Sequence, residues 1–246
     1  MESPFLQTEG WLRWLGLFLG GVCHQFPDHS LFVAGVQLPL CARCTGTYLG
    51  ALLGIVSMFC WGRARASHLP PVRVLLVMGA FFAFWVVDGV NSYVQFVGER
   101  IWLYPPSNLL RLASGTGNGV ALCLLVVPMF NSSLWQRPDE RPILRGLADL
   151  ALLALVATVL VLLLLWGAPA LLYPLLLLQV LSVLIMLSAV NAIIFILVLG
   201  RQNQAHAWGD ALQPLAVGLL LSVCEVGSLA LGRSLLLRTI LLAPGL

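Results

Sequence analysis

LADLALLALVATVLVLLLLW, the twenty residues from Leu147 to Trp166, decides the fold. Asp149 stands near its start, and every position after it is apolar or threonine. The hydrocarbon core of a bilayer is about 30 Å thick, and a helix of about 20 apolar residues crosses it. A helix apolar on every side suits lipid better than the surface of a soluble domain. Working outward, comparable runs cover Leu40–Trp61, Pro71–Val94, Asn108–Phe130, Leu171–Leu199 and Ala211–Leu231. Trp11–Val22 is apolar but short, either a marginal span or an interfacial helix, and the tail from Ser234 to Leu246 is expected at the interface. The whole chain is 60% hydrophobic and 9% charged, against roughly 25% charged for a soluble domain. The expected fold is all-α: a polytopic transmembrane bundle of six to seven helices.

The 13 basic residues are all arginine and are scattered, which leaves no footprint for nucleic acid. The first apolar segment lacks a basic start and carries Arg13, so a cleavable signal peptide is not expected. Arg63 and Arg65 follow the first long span, Arg137, Arg141 and Arg145 the third, and Arg201 the fifth. The alternate loops hold only Arg100, or none in 167–170. Positive charge favours the cytoplasm, which puts the 61–70, 131–146 and 200–210 loops inside and the 23–38 and 97–107 loops outside.

The outer side then carries the chemistry. Cys23-His24-Gln25 is followed by a polar loop and by Pro39-Leu40-Cys41-Ala42-Arg43-Cys44-Thr45-Gly46. Thiolate and imidazole are soft ligands for zinc or another transition metal. Cys23, His24, Cys41 and Cys44 form a candidate metal set, with His29 or Asp88 as a substitute ligand. A C-x-x-C at a helix start is equally a candidate redox pair, because the helix N-terminus and Arg43 favour thiolate. The same cysteines could form a plain structural disulfide in an oxidising compartment. Haem is disfavoured because Thr45, not histidine, follows Cys44. Cys60, Cys123 and Cys224 lie in apolar runs and read as packing residues.

Polar residues converge on the same level. Asp88, Asn91 and Gln95 share a face of the second long span, and Asn108, Arg111, Gly115 and Asn118 a face of the third. Ionisable groups inside a membrane are costly and usually face a bundle interior or cavity. Asp88 and Arg111 read either as a buried ion pair or as functional groups. In the functional reading Asp88 is a base or metal partner, and Asn108 and Arg111 capture an anionic group, since arginine offers a bidentate fork. Glu225 is a second intramembrane acid, a proton-relay point or a partner for Asn191 or Gln179. Gly46, Gly50 and Gly54 recur every fourth residue, as in close helix packing. The glycines near 115–119 lie within a helix with no preceding strand, which argues against a phosphate loop. No Ser/His/Asp constellation and no H-E-x-x-H occurs, so serine or zincin-type proteolysis has no support.

The string C-H-Q, Ser30, then P-L-C-A-R-C-T-G with Tyr48 and Gly50 resembles a family of uncharacterised prokaryotic multi-pass membrane proteins, a domain of unknown function. The resemblance extends through Asp88 and the Asn108-Leu109-Leu110-Arg111 segment with Gly115, over roughly residues 20–125. It departs at His29, where the family tends to have arginine. It implies a prokaryotic inner membrane location and divides the chain into a Cys/His-motif membrane domain, 1–130, and a C-terminal helical extension, 131–246. The leading expectation is an outward-facing Cys/His metal site beside a polar intramembrane pocket, with membrane lipids as partners and a lipid or isoprenoid-like molecule as possible substrate. A quinone-linked thiol oxidoreductase, similar in outline to membrane vitamin K epoxide reductases, is one alternative. A non-catalytic subunit of a larger membrane complex is the other.

Overall fold

The computed structural model describes residues 10–98 and 101–242. In chain order the elements are α1 (Trp11–Leu19), β1 (Ser30–Val33), β2 (Val36–Cys41), α2 (Ala42–Cys60), β3 (Ala66–His68), α3 (Val72–Gly98), α4 (Asn108–Leu134), β4 (Asp139–Pro142), α5 (Leu147–Trp166), α6 (Leu172–Val198) and α7 (Trp208–Leu242). Six helices, α2 to α7, are long and apolar enough to cross a membrane. The all-α bundle expected from the sequence is the fold. The nine residues of α1 rise only about 14 Å at 1.5 Å each, too little for a span. This helix instead packs on α7, where Gly21 sits against the Val226 carbonyl.

The helix ends match the sequence reading closely, with two differences. The tail expected at the interface from Ser234 continues α7 as far as Leu242, since no glycine or proline interrupts Ser234–Leu242. Residues 243–246, and Arg100 in the topology argument, lie outside the described residues. The 23–38 segment is also more than a polar loop. Strands β1 and β2 form an antiparallel hairpin with Val33 facing Val36. Ala34 (φ 51°) and Gly35 (φ 76°) are both left-handed, the signature of a two-residue type I′ turn. Leu31, Val33 and Leu38 from the hairpin bury against Leu164, Leu172 and Leu176 of α5 and α6.

The tightest contact is between α2 and α4. A Cβ on Gly46 would lie 2.4 Å from the Leu112 carbonyl oxygen, and one on Gly119 would lie 1.9 Å from that of Thr47. Backbones therefore touch where the four-residue glycine spacing led one to expect close packing. Thr45 of α2 meets α6 by accepting a 3.0 Å hydrogen bond from Gln179 Nε2. The hairpin shares one end of the bundle with the starts of α2, α4 and α6. Asn108 Nδ2 donates to the Ser30 carbonyl at 3.1 Å there, and Phe26 stacks on Phe96 near the end of α3. The opposite end holds β3 paired in parallel with β4, and the Arg63–Asp149 ion pair at 2.6 Å.

Candidate metal centre

Cys23 ends the stretch after α1, and Cys41 closes the hairpin and caps α2. The ligand atoms of Cys23, His24 and Cys41 all lie within 4.8 Å of one another. Cys23 and Cys41 are buried and His24 is exposed. The Cys41 backbone N–H donates to Cys23 Sγ at 3.1 Å, while Cys41 Sγ accepts from the Cys44 N–H at 3.5 Å in the N-cap position. The Cys44 thiol interacts with both other sulfurs without joining the compact three-residue set. Hydrogen bonds from the Cys23 and Cys44 thiols hold Cys41 well below the usual thiol value. The Cys23 thiol, bonded to Cys41, is pushed up to about 12. Desolvation lowers the His24 imidazole, with Arg43, Arg233 and Arg111 adding to it and Cys41 opposing. His24 Nε2 meets His29 Nδ1 at 3.1 Å. Desolvation, followed by the field of Arg111, brings His29 down to about 4.

The turn carrying these ligands is held from both sides. Gln25 adopts a left-handed φ of 59°, and its buried amide donates to the Gly16 carbonyl at 2.6 Å and the Pro39 carbonyl at 2.9 Å. Arg233 of α7 donates to the carbonyls of Gly20, Cys23 and His24 at 2.7–2.9 Å. Neither role was read from the sequence. An arginine near the end of an apolar helix was the available signal for Arg233, since such a charge needs partners.

Beside the cluster lies the polar convergence, with one partnership different from that expected. Asp88 of α3 is fully buried and pairs with Arg43, not with Arg111. Its carboxylate accepts from Arg43 Nε at 3.2 Å and again from Nη2. Tyr104 Oη donates to it at 3.1 Å and Ser114 Oγ at 3.3 Å. Arg43 also donates to Ser92 Oγ at 3.0 Å. The structure thus brings α2, α3 and α4 together at Asp88 and fully engages its oxygens. Asn91 pins the 103–104 backbone, and Gln95 is only half-buried. Arg111 turns toward the hairpin instead. Its Nη1 donates to Asn108 Oδ1 at 2.9 Å and to the Asp28 carbonyl at 3.5 Å. Arg111 is 7% exposed and its Nε has no partner, and among the described residues no carboxylate pairs with it.

Elsewhere, Asn191 Nδ2 bonds Glu225 at 3.2 Å and Ser222 at 3.0 Å, while Gln179 is taken by Thr45. Cys123 is buried as expected, but Cys60 and Cys224 are exposed on their helices and do not pack inside.

Six spanning helices and a Cys/His corner over a buried polar network define a multi-pass membrane protein. Residues 23–125 match the family described as Predicted membrane protein (DUF2085). A protein of Methanothermobacter thermautotrophicus is 30% identical over 104 residues, which is 42% of this chain and 83% of that protein. One of Methanocaldococcus jannaschii is 28% identical over 116 residues, 47% of this chain and 68% of that protein. Both are described as uncharacterised. The chain belongs to this family. No solved structure matches it. The match begins at Cys23 and ends within α4, so it contains Cys23, His24, Cys41, Cys44, Asp88 and Arg111 but not Arg233.

Proposed function

We propose that the Cys/His corner faces the outside of a prokaryotic inner membrane and holds a zinc-like transition metal. Cys23, His24 and Cys41 would be the ligands, and Cys44 would complete the set. The observation that carries this reading is the gathering of three soft donors within 4.8 Å from two separate chain segments. In a tetrahedral zinc site, bonds of about 2.3 Å to sulfur and about 2.0 Å to nitrogen place ligand atoms about 3.5–3.8 Å apart, so the corner needs only slight closure. His29 suits the supporting role, since a ligating imidazole usually hydrogen-bonds through its other nitrogen. The metal would supply either a structural clamp or Lewis acidity at the membrane surface. Arg111 and Asn108 would receive an anionic group of a lipid or isoprenoid-like substrate, the guanidinium with its unpartnered Nε providing the charge. Asp88 would fix Arg43 and the top of α2.

A second reading has its own support in the C-x-x-C at the start of α2, where Cys41 Sγ accepts from the Cys44 N–H at 3.5 Å. In it, Cys41 and Cys44 join in a disulfide and deliver two electrons and two protons to a quinone, which leaves as quinol.

Elemental analysis of the purified protein in mild detergent, with thiols counted in parallel, separates the two. The metal reading expects about one zinc, iron or copper per chain, lost in Cys41→Ser. Metal-free protein whose Cys41 and Cys44 are blocked until reductant is added would sink it and favour the redox reading.

A further inference from the structure

At the end of the bundle opposite the cysteines, two arginines, Arg65 and Arg137, form no ion pair with a carboxylate of the described residues. Arg65 lies over the Trp135 ring, 3.7 Å from its centroid. Trp135 is fully buried and is held by a 2.9 Å bond from its Nε1 to Asn131 Oδ1. Asn131 in turn donates to the carbonyls of Ala64 and Ala66. The Arg65 guanidinium is thereby fixed in plane, with no hydrogen bond or ion pair to any described residue. Arg137, exposed in the segment after α4, likewise has none among the described residues. Both line a groove of 410 Å³ with Phe59, Asp139, Arg141 and Trp208. Both also line an adjoining cavity of 390 Å³ with Gln136 and His206. Arg141 is bound by Asp139 at 2.6 Å, whose carboxylate also lies in the field of Arg65, and three arginines against one carboxylate leave the groove doubly positive.

The groove lies where the apolar spans end. Phe59 is one residue from the end of α2, Trp208 opens α7, and their rings meet at 6.0 Å. Both rings are largely exposed. Aromatic side chains at this level mark the membrane interface, and basic pockets between spanning helices there suit lipid headgroups. Exposed aromatic rings and two guanidinium groups free of ion pairs, lining one groove, fit an amphiphile with a phosphate at its head. We propose that this groove binds the phosphate headgroup of an anionic phospholipid, whose acyl chain runs along Phe59 and Trp208. Arg65 offers a preorganised fork to the phosphate oxygens, and Arg137 adds a second, mobile contact.

The test is native mass spectrometry of the full chain in detergent, titrated with dioleoyl phosphatidylglycerol or dioleoyl phosphatidylcholine. The expected result is preferential retention of phosphatidylglycerol, weakened about fivefold by Arg137→Gln with phosphatidylcholine retention unchanged. Arg145→Gln, outside the groove, should leave both alone. Arg65→Gln also removes the stack on Trp135, so Arg137→Gln carries the decision. Equal retention of the two lipids, or an unaltered Arg137→Gln titration, would overturn the proposal. So would equal weakening by Arg145→Gln. Displacement of the lipid by millimolar inorganic phosphate would assign the site to a soluble anion and overturn it as well.

Discussion

Replacing Asp88 with asparagine keeps the volume of the side chain and removes its charge. Arg43, with a side chain 19% exposed, then loses its one carboxylate partner among the described residues, and the hydroxyls of Tyr104 and Ser114 lose a charged acceptor. Removing one partner of a buried ion pair costs about 3–5 kcal/mol. An asparagine oxygen can still accept one of the bonds, so the lower end, about 3 kcal/mol, is the expected loss. At about 2–4 °C per kcal/mol for a chain of this size, the thermal midpoint in detergent should fall by about 6–12 °C. The reasoning has a sharper consequence. A double variant, Arg43→Met with Asp88→Leu, removes both charges and should recover most of the loss, because neither buried charge is then left alone. Heating followed by size-exclusion chromatography measures both effects. A midpoint for Asp88→Asn within a degree of the parent would refute the claim that this pair joins α2 to α3. A double variant as damaged as the sum of its singles would refute it too.

Two further outcomes are expected. Gly119→Ala would place a methyl 1.9 Å from the Thr47 carbonyl oxygen. It should lower the midpoint by an amount corresponding to about 1–3 kcal/mol or more, whereas Gly79→Ala, with open space around it, should be neutral or slightly stabilising. Arg233→Gln should loosen the Cys23–His24 turn without removing a ligand. The metal content of freshly purified protein should stay near that of the parent, but loss to a chelator should be faster, and Arg201→Gln should show no such change.

How much was legible in the sequence follows from what each feature depends on. The bounds of α5 were readable to the residue, because a uniform apolar run between a glycine and a Trp-Gly stop depends on composition alone. The glycine contacts between α2 and α4 were readable as packing, because the four-residue spacing fixes a face. The hairpin was not, since its strands are too short for alternation to stand out and its turn puts alanine at a left-handed φ. Arg111 looked the natural partner for Asp88 because both lie on polar faces of adjacent spans. Arg43 took that place because it starts α2 and turns toward α3, a direction that residue spacing does not reveal. The gathering of Cys23, His24 and Cys41 was expected from residue type. Its support by Gln25 and Arg233 depends on tertiary contacts that residue spacing does not encode.

The bond from Arg233 Nη1 to the Gly20 carbonyl joins residues 213 apart in the chain. Synthesis proceeds from the N-terminus, so the C-H-Q turn leaves the ribosome with the first helices, while the guanidinium that locks it comes with the last. Until α7 is in place, the carbonyls of Gly20, Cys23 and His24 lack the donor they have in the folded chain. The C-H-Q turn is therefore completed only when a helix some two hundred residues later in the chain has been placed beside it.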